Sequence, residues 1–259
     1  MAAVFLVVFG FTWYFISRQS NGGLSASGTI EATEVLVSSK VTGKVAELKF
    51  EEGDQVKAGD VLALIESDSY TANYNSVLAR NDLAQSNLAR SRELFNQNMI
   101  SSQQYQAAQS EAEVAKSALE LVKIQLEDTS IKSPITGTVM VKALEPGELA
   151  AIGTPVYTLA NLDKVNLVVY LPEDQVGLVK LGQEVAVNVD SYPNVNFSGK
   201  VTHISDNAEF TPKSIQTKEE RVTQVFGVKI EIPNLDGKLK PGMPADARFF
   251  TKGETASGR

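Results

Sequence analysis

The residues able to do chemistry are few and scattered. The single histidine, His203, stands in a strand-like run, whereas a metal or acid-base site needs several convergent groups. His203 is therefore expected as a packed or surface residue. Cysteine is absent, which excludes disulfides, thiolate metal sites, cysteine nucleophiles and a lipidated N-terminal cysteine. The adjacent acids Glu51-Glu52 and Glu219-Glu220 read as solvated turns. No nucleotide-binding P-loop occurs, so the chain is expected to supply no energy of its own. A formal charge of -7 and a pI of about 4.9 disfavour nucleic acid, whose phosphates demand a basic face. The expectation is a protein that is no enzyme and holds no cofactor or metal. Its function must then lie in surfaces, and so in the elements that carry them.

A repeat organises those elements. Residues 40–66 (KVTGKVAELKFEEGDQVKAGDVLALIE) lie over residues 134–160 (PITGTVMVKALEPGELAAIGTPVYTLA) at an ungapped offset of 94, with identities at Thr42/Thr136, Gly43/Gly137, Val45/Val139, Glu51/Glu145, Gly53/Gly147 and Gly59/Gly153. Each half alternates apolar positions (Val41, Val45, Leu48 and Phe50 in the first), turns at a Gly-containing acidic stretch, and ends in an apolar strand such as Val61 to Ile65. The six glycines of the identities, Gly43, Gly53, Gly59, Gly137, Gly147 and Gly153, are expected to be structural turn residues. Neither half can bury its apolar face alone, so the two should fold against each other into one small β domain, residues 38–66 plus 131–160.

The stretch between the halves, residues 67–130, has a helical period. Tyr70, Tyr74, Val77, Asn81, Ala84, Leu88, Ser91 and Phe95 alternate spacings of four and three, and Tyr105, Ala108, Ala112, Ala115, Leu119, Val122, Leu126 and Thr129 do the same. Two matched seams joined by a short polar turn predict an antiparallel coiled-coil hairpin, an arm on the order of 40 Å long at ~1.5 Å per residue. Ser67 or Asp68 can cap the first helix, and Ser101 with Gln104 forms a capping-box pattern for the second. Near the turn, Arg90 and Leu94 share a ridge off the seam, and Met99 and Ile100 lie in the turn itself. Apolar groups at the end of a thin arm find little core to enter and are candidates for a partner surface.

Both ends add further parts. Residues 1–17 (MAAVFLVVFGFTWYFIS) are uncharged and apolar, with Trp13 and Tyr14 near one end, and read as a retained membrane anchor. A cleaved signal peptide fits less well, because no basic region precedes the run. The run is shorter than the ~20 residues of a usual span, which suggests an anchor truncated at its start. Residues 18–27 read as a linker. Strands are expected at residues 165–171, 184–190, 197–204, 222–232 and 245–251, with a short helix opened by Pro172 and closed by Gly182. With residues 28–37 as a sixth strand they should close a small β-barrel, residues 28–37 plus 161–251, followed by a flexible tail at 252–259. Between strands, residues 205–221 form a long polar loop.

The split β domain resembles the biotinyl/lipoyl fold, and the whole order of anchor, split lipoyl-like domain, helical hairpin and barrel resembles the HlyD-type membrane fusion proteins, the periplasmic adaptors of bacterial export systems. Lipoyl and biotin carriers display a lysine on a tight hairpin between the halves; here about 60 residues replace that hairpin, so a carrier function is disfavoured. In adaptors that dock on a TolC-type channel the hairpin tip carries R-x3-L-x6-S-x4-D-x-A. Arg90, Leu94, Ser101 and Ala108 match this pattern, and Gln106 replaces its Asp. The Pro241-Gly242-Met243-Pro244 turn resembles the L-x-P-G-M segment of the family's barrel. The resemblance implies an inner-membrane protein, its bulk in the periplasm of a Gram-negative bacterium, that self-associates into a ring of six. It further implies a TolC-like partner at the tip and an inner-membrane transporter facing the barrel loop at Phe210, Lys213, Gln216 and Lys218. An ABC-type transporter is favoured over a proton-driven pump because little chain follows the barrel. Export of drugs or other small molecules is the implied function, and a coiled-coil membrane scaffold with no transport role is the alternative.

Overall fold

The computed structural model describes residues 24–210 and 224–250. The anchor at 1–17, the linker up to residue 23, the central part of the barrel loop and the tail lie outside the described residues. The chain divides into two units, Glu34–Ala160 and the residues on either side of it.

The flanking unit begins with β1 (Ser25–Glu31), so Ser25, Ala26 and Ser27 belong to a strand and not to the linker. The next strand, β2 (Glu34–Ser38), pairs within the other unit, with a strand near residue 160. The expected sixth barrel strand over 28–37 is therefore divided after Glu31, its second part serving the repeat domain.

The central unit continues with β3 (Gly43–Leu48), β4 (Gln55–Val56) and β5 (Val61–Ile65), then helices α1 (Asp68–Asn96) and α2 (Ser102–Glu127). The second half supplies β6 (Ser130–Lys132), β7 (Gly137–Lys142), β8 (Leu149–Ala150) and β9 (Pro155–Ala160). One sheet runs β2-β9-β7-β4 and the other β6-β5-β3-β8. Each sheet thus takes its inner pair of strands from one half and its outer pair from the other. Between them lies a core that includes Val45, Val56, Leu62, Val139, Val156, Tyr157 and Leu159, all at most 1% exposed.

The exchange is fixed by backbone bonds that obey the 94-residue offset. Gly53 N–H donates to Val139 O (2.9 Å) and Val139 N–H to Asp54 O (2.9 Å); correspondingly Gly147 N–H donates to Val45 O (2.8 Å) and Val45 N–H to Glu148 O (2.8 Å). Gly59 N–H donates to Ser133 O and Ser133 N–H to Asp60 O; correspondingly Gly153 N–H donates to Ser39 O and Ser39 N–H to Thr154 O. Buried Ser39 and Ser133 each donate a hydroxyl to the carbonyl two residues on, Val41 and Ile135. Gly53, Gly59, Gly147 and Gly153 all have positive φ, from 86° to 95°, as the turns require. Gly43 and Gly137 do not; they open β3 and β7, and at Gly43 the reason for glycine is space, since a Cβ there would lie 2.4 Å from Ile65 Cγ2. The acids Glu51 and Glu52 are more than solvated turn residues: Lys142 Nζ pairs with Glu51 at 2.8 Å and with Glu145 at 3.3 Å, and its backbone N–H donates to Glu52. The two carboxylates raise the Lys142 pKa, Glu51 contributing most through its hydrogen bond.

The flanking unit adds β10 (Lys164–Pro172), a one-turn helix α3 (Glu173–Val176), β11 (Glu184–Asn188), β12 (Asn196–Ile204), β13 (Glu209–Phe210), β14 (Gln224–Pro233) and β15 (Pro244–Phe249). Pairing runs β10-β1-β15-β11-β12-β14 and closes through β14 on β10, so the strands form a six-stranded barrel with β13 appended to β14. The helix opened by Pro172 ends at Gly177; Gly182, with φ of 81°, makes the turn before β11 instead of closing the helix. Gly28 is required by contact, because a Cβ would lie within 1.9 Å of Val168 O on β10. Asn234, 4% exposed, donates through Nδ2 to Leu162 O and Leu239 O while its Oδ1 accepts from Leu239 N–H, which ties the turn after β14 to the start of β10.

The offset symmetry makes a quantitative expectation. Gly53→Ala and Gly147→Ala meet no neighbouring atom and differ from wild type only in forcing an L-residue to positive φ, so each should cost about 1–2 kcal/mol. Denaturant unfolding should give equal losses within about 0.5 kcal/mol, because the two turns make the same bonds.

Candidate functional site

The helical pair leaves and re-enters the sandwich at one place. Ile65 N–H bonds to Thr129 O, Tyr70 OH donates to Thr42 O (2.7 Å) and Lys40 Nζ lies 3.2 Å from Asp128 Oδ1, so both helix bases are tied down on the same side. With 29 and 26 residues, the helices carry the intervening turn on the order of 40 Å away.

Every expected seam residue is buried or half-buried except Phe95, which stacks on Tyr105 across the pair with ring centroids 5.0 Å apart. Ala84, Ala112 and Val122 are buried outright, and Gln85 Nε2 reaches Ala112 O across the seam. Asn81 is the costly member: its Oδ1 is buried without a hydrogen-bond partner.

At the remote end, α1 closes on a Schellman motif. Asn98 takes the left-handed conformation (φ 57°), its N–H donates to Phe95 O, and Met99 N–H donates to Leu94 O at 2.8 Å. This chemistry was missed in the sequence, although asparagine after the last seam residue is its signal. The motif brings Met99, 67% exposed, back onto the turn of Leu94, which is itself 40% exposed. Arg90, one turn earlier, is exposed and donates to Asn87 Oδ1. Ile100 is half-buried. Ser101 caps α2 through a full capping box: its hydroxyl accepts from Gln104 N–H and its N–H donates to Gln104 Oε1 (3.0 Å). The expected cap at the base of α1 does not form, since Ser67 occupies the N-cap position without a side-chain bond.

The structure therefore gathers Arg90, Leu94, Met99, Ile100 and Ser101 at the tip. Ala108 lies lower on α2, half-buried in the seam, whereas Gln106 is exposed. Sequence reasoning also passed over an outer stripe of α2, where Val114, Leu121 and Ile124 are exposed at spacings of seven and three.

On the barrel, Phe210 ends β13, opposite Gln224, while Lys213, Gln216 and Lys218 lie outside the described residues. His203 is exposed on β12, opposite Lys229, beside a shallow depression that also includes Tyr170, Glu209 and Glu31. Burial, reinforced by Glu209 and Glu31, raises the Tyr170 pKa above its ordinary value. Among the described residues no group of three or more His, Cys, Asp or Glu is placed to hold a metal ion, and no helix is long and apolar enough to cross a membrane.

A sandwich of two interlocked halves that carries a helical pair, joined in sequence to a closed six-stranded barrel, defines a membrane fusion architecture. Residues 33–161 match the CzcB-like barrel-sandwich hybrid domain and residues 164–253 the CusB-like β-barrel domain. The chain belongs to the membrane fusion protein, or periplasmic adaptor, family. It is 27% identical to the UPF0194 membrane protein YbhG of Salmonella gallinarum, over 96% of this chain and 95% of that one. A crystallised MacA-MexA chimeric protein containing the Pseudomonas aeruginosa MexA alpha-hairpin domain is 27% identical, with a TM-score of 0.78 over 89% of this chain and 79% of that one. The membrane fusion protein Spr0693 of Streptococcus pneumoniae, 22% identical, shares the fold with a TM-score of 0.72 over 88% of this chain and 99% of that one.

Asn81→Leu should stabilise the helical pair by about 1–2 kcal/mol by removing an unsatisfied buried oxygen. Hydrogen exchange of the α1 and α2 amides would measure the gain. Ser101→Ala should cost about 1 kcal/mol through loss of the cap, and Ser101→Asp, which keeps a capping oxygen, should recover most of it.

Proposed function

We propose that the chain is the periplasmic adaptor of a bacterial efflux system. Its N-terminal segment anchors it in the inner membrane of a Gram-negative cell, its barrel faces an inner-membrane transporter, and its helical pair, acting as a coiled-coil hairpin, reaches a TolC-like outer-membrane channel. An ABC-type transporter is the favoured partner, with drugs or other small molecules as cargo. The part this chain plays is mechanical and not catalytic.

One observation carries this reading. A pair of long helices, tied to the sandwich at its base, ends in a turn ordered by a Schellman motif and a capping box, yet that turn exposes Leu94 and Met99 to water. A tip so well determined in backbone and so poorly buried in side chain supports a docking surface. Arg90, Leu94, Met99 and Ser101 supply its expected contacts, with Ile100 in the turn and Ala108 in the seam below it. On the barrel side Phe210, Lys213, Gln216 and Lys218 are the proposed contacts to the transporter.

The absence of cysteine makes the test direct. With Ser101→Cys as the only thiol, a short thiol-to-amine crosslinker in intact cells should join position 101 to an outer-membrane channel, and with Lys213→Cys should join position 213 to an inner-membrane transporter. If position 101 captures only copies of the same chain while the protein remains folded, the adaptor reading fails and a self-associating coiled-coil scaffold replaces it.

A further inference from the structure

The barrel strands alternate in direction, so the barrel has two unlike ends. Ser25 pairs with Arg248 and Phe249 N–H donates to Leu24 O, Pro172 pairs with Val225, and Gln183 Nε2 donates to Phe250 O at 2.9 Å. The start of β1, the end of β10 with α3, the start of β14 and the end of β15 therefore share one end. The links to the central unit, after Glu31 and before Lys164, leave from the other end.

At the first end, the segment that follows α3 carries two kinds of apolar residue. Val179 is buried in the barrel core and Val176 packs against it, so these two plug the end. Leu178 and Leu181 are instead 61% and 68% exposed. They are held firmly in that state: Leu178 N–H bonds to Gln175 O, Val179 N–H to Val176 O, Lys180 N–H to Gln183 Oε1 and Gly182 N–H to Val201 O. A fixed backbone thus keeps two leucines, three residues apart, in water where the core already has its plug. At the opposite end the exposed Leu235 stands alone beside Asp236, as single surface leucines commonly do.

The chain before β1 says what covers the leucines. Six residues separate the apolar run 1–17 from Leu24, and six residues span at most ~22 Å. An anchor in that run holds this end of the barrel, and the leucines on it, close to the bilayer. Their neighbours suit a membrane surface and not its interior. Lys180, exposed between the two leucines, matches lipid phosphates, while the exposed Glu173 and Asp174 on α3 and Glu184 on β11 keep the segment at the headgroup boundary.

We infer that the turn 178–181 is a lipid contact, in which Leu178 and Leu181 enter the headgroup region of the membrane that holds the anchor and Lys180 lies against lipid phosphates. The occupant of the patch is the bilayer surface. The inference deepens the adaptor reading, on which it rests for the anchor. A single tether leaves the barrel free to turn about it, and a second foothold fixes which side faces a transporter.

The absence of cysteine permits a single-thiol test on the full chain in vesicles that hold no transporter. Gly177 can take the thiol, since its φ is -64° and nothing lies within 4 Å of the place of a Cβ. Purified Gly177→Cys is labelled with bimane and reconstituted in vesicles of phosphatidylethanolamine and phosphatidylglycerol. Lipids brominated high on the acyl chain should quench it about five-fold more than Leu235→Cys labelled in the same way. Adding Leu178→Ser and Leu181→Ser should lower the quenching at position 177 to that at position 235, and should leave the circular dichroism unchanged because both leucines are exposed. Equal quenching at the two positions, or quenching at 177 that survives the serine pair, would overturn the lipid contact. So would a position 177 that is unquenched in vesicles yet shielded in intact cells, which would assign the leucines to a protein partner. Flotation with the vesicles separates the two ideas. Protein that floats with position 177 unquenched defeats the lipid contact alone, and protein that does not float defeats the anchor and both readings with it. A lost position 101 product with the quenching intact defeats the channel claim and leaves the lipid contact standing.

Discussion

The structure depends on an exchange of backbone hydrogen bonds between two halves that are far apart in sequence. Gly53 and Asp54 are held by Val139, and Gly147 and Glu148 by Val45, at distances of 2.8 to 2.9 Å. A turn closes part of its own hydrogen bonding locally, as Asp54 N–H does on Glu51 O and Glu148 N–H on Glu145 O, and leaves the rest for a partner. Here Gly53 and Gly147 each find that partner in the other half, and each sheet is built from both. The expected folding unit is therefore the pair and not either half.

That interlock makes a long insertion tolerable. Because Ile65 and Thr129 are bonded neighbours, the chain leaves and re-enters the sandwich at one point, and a loop whose ends meet can lengthen at little entropic cost. The helices then add stability to each other along their seam without being needed to close the sandwich. What they gain is reach. A tip borne on two helices tied at the base by Tyr70 and Lys40 can expose Leu94 and Met99 without endangering the core. The chemistry-bearing residues are ordinary by comparison: His203 is exposed on its strand, Lys142 is paired with the acids of the turns, and the distinctive side chains are exposed apolar ones.

Much of this was legible in the sequence because repeats and periods report backbone geometry directly. The 94-residue offset named the exchanged turns, and the spacing of four and three named the seam down to Val122 and Thr129. Ser101 and Gln104 announced their capping box. The misses have a common physical origin, in that they depend on which strand a residue meets and not on its own pattern. Residues 28–37 alternate as one strand would, yet the chain changes partners between Glu31 and Glu34, and no local signal marks that change. Glu51 and Glu52 read as solvated until Lys142, 91 residues on, is seen beside them. The role of Asn234 is set by carbonyls of Leu162 and Leu239, and Asn81 differs from a harmless seam asparagine only in that nothing answers its oxygen. The tip was legible as a place; its order, which comes from Asn98 and the Schellman bonds, was not.

The claim on which the rest stands is that the two halves hold each other without the helices. The direct measurement is amide hydrogen exchange at Gly53, Gly59, Gly147 and Gly153 in a chain whose residues 68–127 are replaced by a short Asn-Gly turn. These four amides donate across or within the exchanged bonds, so they should remain as protected as in the full chain. Exchange at the rate of an unfolded peptide would show that the helices close the sandwich, and would contradict the account of the pair as an arm that the sandwich carries.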